Sequence, residues 1–174
     1  VKPHCIELDP ALREILMERD FLVYENSQSV EGFYNLIYTS NVLEHIPDDL
    51  EALKEIHNLL EAGGSLMIYV PAFMFLYSPA DAALGHYRRY TKRELYDKLK
   101  LANFSIQSCR YSDSIGFFAW LSTRFFRSST QNKIGSDSSL KFYDRFIFPI
   151  SHFFDEMGFK YFFGKNILIH AVKI

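Results

Sequence analysis

Two six-residue runs, NLIYTS at 35–40 and SLMIYV at 65–70, constrain the fold more than any other feature. Each is apolar, rich in β-branched and aromatic residues, and shorter than a typical helix. Both therefore read as strands. Neither alternates cleanly between polar and apolar, as expected of parallel strands buried on both faces. Between them, Leu50, Leu53, Ile56, Leu59 and Leu60 fall on one helical face. Asp48 or Asp49 is the expected N-cap. The run Glu61-Ala62-Gly63-Gly64 is expected to end the helix, with Gly in the left-handed position. Strand, helix, strand is the unit of an α/β sheet.

The rhythm repeats on either side. Upstream, HCIEL (4–8) and FLVYE (21–25) read as strands. They flank a helix capped by Asp9, with Pro10 at its first position and Leu12, Ile15 and Leu16 on its apolar face. Downstream, Thr91 and Glu94 form the signature of a capping box, Leu95 and Leu99 line one face, and Asn103 is a plausible left-handed stop. SIQSCRYSD (105–113) and KNILIHAVKI (165–174) read as further strands. Between them lie an apolar aromatic segment (114–129), a polar loop (130–139), and a helical segment (140–163) interrupted at Pro149. The aromatic stripes of these segments are expected to pack as core.

Length and charge then narrow the function. A chain of 174 residues suits one domain. A net charge of −2 offers no broad basic surface for nucleic acid. Cys5 and Cys109 lie far apart, so no metal cluster is expected from them. They are expected to be reduced, which suits a cytoplasmic protein. No apolar run reaches the ~18 residues of a membrane span. HExxH, GxSxG, paired CxxC and phosphate-binding P-loop motifs are absent, and no metal site is expected.

Three clusters could carry chemistry. Glu7 ends the first strand, where a carboxylate can accept two hydrogen bonds from vicinal hydroxyls. It is also readable as a surface acid beside an N-cap. Thr39, Ser40 and Asn41 end the 35–40 strand, and Val42, Leu43, Glu44 and His45 follow directly. These residues form either a ligand edge or an ordinary strand-to-helix loop. Tyr87, Arg88 and Arg89, next to His86, offer fork-shaped donors. Cations before a helix N-terminus oppose its dipole, so an acidic partner is expected in the protein or the substrate.

Taken in order, the blocks CIELDP, NLIYTSNVLEHIPDD, LLEAGGSLMIYVP, LGHYRRYTKREL and ANFSI resemble the class I S-adenosylmethionine-dependent methyltransferases, especially their type 11/12/23 group. The resemblance covers about residues 4–110. It implies a doubly wound, Rossmann-like α/β sheet, mostly parallel, with NILIHAVKI as an antiparallel last strand. It implies S-adenosyl-L-methionine as cofactor and a small-molecule or lipid-linked methyl acceptor. By the same resemblance, Glu7 and Leu8 hold the cofactor ribose, Asn26 and Ser27 stand near the adenine, and Ser40 and Asn41 flank the methionine end. Val70 and Pro71 match the end of a further strand. His45 and His86 are the candidate bases. Tyr87, Arg88 and Arg89 belong to a block that covers the substrate side.

One departure stands out. The family's first strand and its Gly-rich loop have no counterpart in these residues. The expectation is a single, N-terminally incomplete domain over 1–174, with an aromatic helical insertion or lid at about 111–163. Weak cofactor binding, or a strand supplied by another segment or chain, would follow. Self-association through open strand edges and peripheral membrane contact by the aromatic region are further expectations. Two alternatives to methyl transfer also stand. One is a non-catalytic remnant or binding module without cofactor, and the other is a membrane-surface interaction protein.

Overall fold

The computed structural model describes residues 2–125 and 141–174. Among the described residues, six strands form two sheets. Strand β1 (His4–Ile6) pairs in parallel with β2 (Leu22–Tyr24), across helix α1 (Pro10–Glu18). The larger sheet has the order β3 (Tyr34–Ser40), β4 (Leu60–Pro71), β6 (Asn166–Lys173), β5 (Phe104–Ser112). β3 and β4 are parallel, and β6 runs antiparallel to both of its neighbours. Thus β3, β4 and β5 point one way and the last strand points the other, as the sequence suggests.

The caps sit where side-chain chemistry puts them. Asp9 accepts the Ala11 N–H at 2.8 Å and starts α1. Asp48 accepts the Glu51 N–H at 3.0 Å and starts α2 (Asp49–Leu59). Thr91 accepts the Glu94 N–H at 3.2 Å and starts α4 (Lys92–Leu101). Asn103 follows α4 at φ 60°, where an Asn is better tolerated than most residues. Between α2 and α4 lies the short helix α3 (Pro79–Ala83).

One boundary differs from the reading above. Strand β4 begins at Leu60, five residues before the expected Ser65. Gly63 (φ 74°) and Gly64 lie inside the strand, where the register with β3 shifts between Tyr34 and Leu36. The glycines thus serve an irregularity of the sheet rather than a helix end. A Cβ on Gly64 would stand 2.9 Å from the Glu61 carbonyl oxygen and 3.1 Å from that of Tyr34. Two backbones therefore approach too closely there for a side chain.

The core fills one face of the larger sheet. Leu66, Ile68 and Val70 of β4, Ile167 and Ile169 of β6, Leu53 of α2, and Leu95 and Leu99 of α4 are fully buried or nearly so. The other face is open near β3, where Leu36, Tyr38 and Met67 are exposed. β1 and β3 are not hydrogen-bonded to each other. The two sheets meet through side chains instead, with His4 Nδ1 2.6 Å from the Tyr34 hydroxyl, and the turn after β2 meets α2, where the Ser27 hydroxyl donates to Glu55 at 2.6 Å.

Beyond β5 the chain forms α5 (Ser114–Phe125), a wide turn at Tyr143–Ile147, and α6 (Phe148–Glu156). Pro149 follows directly on this wide turn. The expected polar loop at 130–139 lies outside the described residues. A buried polar hub joins these helices to the sheet. Asp113 accepts the Gly116 N–H, the Tyr143 hydroxyl and the Ser151 hydroxyl. Asp155 accepts the N–H groups of Asp113 and Ser114. The aromatic stripes are only partly core. Phe117 packs on Phe73 and Phe163, whereas Phe153 is 62 % exposed and Phe162 is 76 % exposed.

Candidate functional site

The carboxyl ends of β1 and β3 carry the polar residues singled out in the sequence. Glu7 follows β1 and accepts the Asp9 N–H on Oε1 at 2.9 Å. Among the described residues, its Oε2 has no hydrogen-bonding protein partner. Arg13 braces this turn by donating to the carbonyls of Glu7 and Leu8. Leu8 itself points outward and is exposed. Asn26 caps the short turn Ser27–Ser29 by accepting the Ser29 N–H. Ser27 is engaged with Glu55.

Ser40 and Asn41 end β3 with exposed side chains. Asn41 adopts φ 52°, and its N–H donates to the Tyr69 carbonyl at 2.8 Å. That turn leads into a short helical turn, Leu43–His45. It stops the strand and throws the next residues across the top of the sheet.

The GHYRRY block meets them there. The Tyr87 N–H donates to the Glu44 carbonyl at 2.8 Å, which ties the two segments together. The rings of His45 and His86 lie edge to face with centroids 4.6 Å apart. Glu44, His45 and His86 each present one nitrogen or carboxylate oxygen within 4.8 Å of the others. The sequence reading did not bring these three residues together. Glu44 and His86 are 42 positions apart, so no local spacing announces the set.

The electrostatics of this corner are unusual. Glu44 is fully buried, and among the described residues neither carboxylate oxygen has a hydrogen-bond partner. Burial pushes its carboxyl up to about 7, against the pull of Arg89. His86 Nδ1 lies 3.0 Å from Asp81 Oδ1. Burial holds its imidazole below the ordinary value, although the Asp81 hydrogen bond works the other way. Asp81 is itself fully buried and accepts Arg89 Nε at 2.8 Å.

The two arginines find their acidic partners inside the protein. Arg89 pairs with Asp81, donates to the Ala72 carbonyl and stacks over Trp120 at 4.9 Å. Arg88 lies 2.9 Å from Asp49 and donates to the Pro47 carbonyl at 2.7 Å. Tyr87 is 57 % exposed and is the member of this trio open to solvent. The arginine block therefore braces the site wall. Its partners Asp49 and Asp81, 32 positions apart in the sequence, gave no signal beyond being acids near helix starts.

A methyltransferase domain family model matches residues 2–108. The chain belongs to this methyltransferase family. Among solved structures, a SAM-dependent methyltransferase from Thermotoga maritima superposes with a TM-score of 0.60 at 14 % identity, covering 100 % of this chain and 73 % of its own. One from Archaeoglobus fulgidus gives 0.59 at 14 %, covering 98 % and 75 %. An O-methyltransferase family 2 protein from Planctomyces limnophilus, in complex with apigenin, gives 0.57 at 17 %, covering 99 % and 44 %. At such identities the likeness establishes the fold. No curated protein matches the chain significantly. Among the described residues, no helix is long and apolar enough to cross a membrane.

Proposed function

We propose that this domain transfers the methyl group of S-adenosyl-L-methionine to a small-molecule or lipid-linked acceptor. The observation that carries the reading is the polar carboxyl edge of two parallel-sheet strands, within a chain of this family. Ligands of open α/β sheets bind at that edge. Glu7 there has one oxygen engaged by the backbone and one left for a diol. Ser40 and Asn41 are exposed at the end of β3, with the backbone turned away by the left-handed residue. These groups fit a ribose and a short polar chain. Leu8, Asn26 and Ser27 would flank the ligand rather than grip it, since the Asn26 and Ser27 side chains already have protein partners.

The cofactor supplies an activated methyl group, so the protein mainly positions the acceptor and excludes water. A proton must leave only where the acceptor is a hydroxyl or similar group. That task falls to the His45–His86 corner, one short turn beyond Asn41. Tyr87 is the exposed residue of the neighbouring block and would contact the acceptor. The helices after β5 would cover the acceptor side. Of these, α5 packs Phe117 on Phe73, beside the end of β4.

Isothermal titration with S-adenosyl-L-methionine tests the reading. A charge-assisted hydrogen bond contributes ~1.5–3 kcal/mol, so Glu7→Gln is expected to weaken binding tenfold or more while the melting temperature holds. No saturable binding by the unmodified chain up to millimolar cofactor would refute it.

A further inference from the structure

The corner formed by Glu44, His45 and His86 has a feature that packing does not explain. A fully buried carboxylate with both oxygens unpartnered is rare, because each lost hydrogen bond leaves an uncompensated desolvation cost. The guanidinium of Arg89 is turned to Asp81 and the Ala72 carbonyl instead. The unpartnered oxygens share their space with two imidazoles, one on the same short turn and one brought in from the GHYRRY block.

We propose that Glu44, His45 and His86 form a binding site for a divalent transition cation of the zinc class. Two imidazoles and one carboxylate are a borderline-soft donor set that suits zinc and its neighbours better than magnesium or calcium. Ligand atoms of a tetrahedral zinc site stand about 3.4 Å apart, given bonds of ~2.0–2.1 Å. The three donors here lie within 4.8 Å of one another. His45 is exposed, so its ring is free to swing in and close the set.

The surroundings fit the same use. Asp81 contacts His86 Nδ1, which leaves Nε2 for a cation. A carboxylate behind a ligating histidine is the usual way to fix its tautomer and orientation. Asp81 is anchored in turn by Arg89 and by the Ser78 N–H and hydroxyl. The Tyr77 hydroxyl donates to the His86 carbonyl at 2.7 Å and steadies the backbone of that ligand. Once Glu44 gives up its proton, Glu44 and Asp81 outweigh Arg89 by one negative charge, which favours a cation. Three protein ligands leave a fourth position open, on the exposed His45 side. A hydroxyl acceptor bound there would lose its proton more easily. That last consequence rests on the proposed methyl transfer, whereas cation binding does not.

The test uses the whole chain without cofactor. Titration with Co2+ is expected to give 1:1 binding with a visible absorption band of a four- or five-coordinate ion, and Zn2+ is expected to displace it. His86→Ala and His45→Ala are each expected to weaken binding at least tenfold. Glu44→Gln should do the same, and its nearly unchanged shape guards against misfolding. His152→Ala, an exposed histidine elsewhere, is expected to leave binding unchanged. No stoichiometric band from the unmodified chain, or a band that survives all three substitutions, would overturn the site. Retained cofactor binding with no cation binding would overturn this proposal alone. Cation binding without cofactor binding would leave it standing and overturn the methyl-transfer reading.

Discussion

Asp49 is the residue whose replacement discriminates best between a braced site wall and a loosely held one. It lies in the first turn of α2 with only 5 % of its side chain exposed. Its carboxylate accepts the Tyr90 hydroxyl at 2.8 Å and Lys98 Nζ at 2.6 and 2.7 Å, with Arg88 at 2.9 Å. Asp49→Asn keeps the shape, removes the charge, and turns an amide toward donors that need an acceptor. Breaking a buried ion pair by altering one partner costs ~3–5 kcal/mol. Lys98 and Arg88 both keep 22 % of their side chains in solvent and can rehydrate, so the low end applies. A loss of ~3 kcal/mol lowers the melting temperature by ~6–12 °C in a domain of this size. Burial alone would raise the carboxyl of Asp49, but the hydrogen bonds from Lys98, Tyr90 and Arg88 overcome it and hold the group below its usual 3.8. A lowered folded value stabilises the fold above the unfolded value. That stability is lost as pH falls through the folded one. Urea unfolding followed by circular dichroism, at pH 7 and then below pH ~4, should therefore show the gap between the two proteins shrinking in acid. A loss under ~1 kcal/mol at pH 7, or a gap that does not close in acid, would refute the reasoning.

Gly64→Ala places a Cβ 2.9 Å from a backbone oxygen of the same strand, where nothing flexible can yield. It is expected to cost ~1–3 kcal/mol by thermal unfolding, and an unchanged midpoint would mean that the sheet irregularity relaxes freely. Asp113→Asn leaves the Gly116 N–H and two hydroxyls competing for one oxygen. It is expected to cost ~1.5–3 kcal/mol and to raise proteolysis in α5 and α6 before the sheet unfolds. Simultaneous loss of sheet and helices would show that these helices are not a separate unit.

The elements that sequence disclosed best were those with local causes. Asp9, Asp48 and Thr91 cap their helices because a short acceptor side chain reaches an N–H two or three positions on. Asn103 stops α4 because its side chain tolerates φ 60°. What escaped was decided at long range. Gly63 and Gly64 look the same before a strand and within one, and the shifted pairing with Tyr34 decides between them. Arg88 and Arg89 were legible as cations in need of acids. Which acids satisfied them depended on where α2 and the Ser78–Asp81 turn came to rest. Glu44 stood beside His45 in the sequence, but its burial did not show there, since an acid in a polar loop usually points to water.

That residue also sets the limit of any account based on stability alone. The charges around it are each neutralised: Asp81 by Arg89, and Asp49 by Lys98 and Arg88. The Tyr90 hydroxyl is spent on Asp49, and a bridge from Ala72 to Tyr90 fixes the backbone beneath. This bracing holds His86 opposite Glu44, and among the described residues leaves Glu44 as the one carboxylate of the corner with no partner. Were Glu44 simply core, an apolar residue of similar volume would remove a desolvation cost and stabilise the fold. A ligand-binding role keeps the same cost in the free protein and compensates it only when a cation arrives. Glu44→Leu separates the two. A gain in melting temperature without cation, together with loss of any cation-induced rise, fits the ligand role. A gain with no cation-induced rise in the unmodified chain assigns Glu44 to packing.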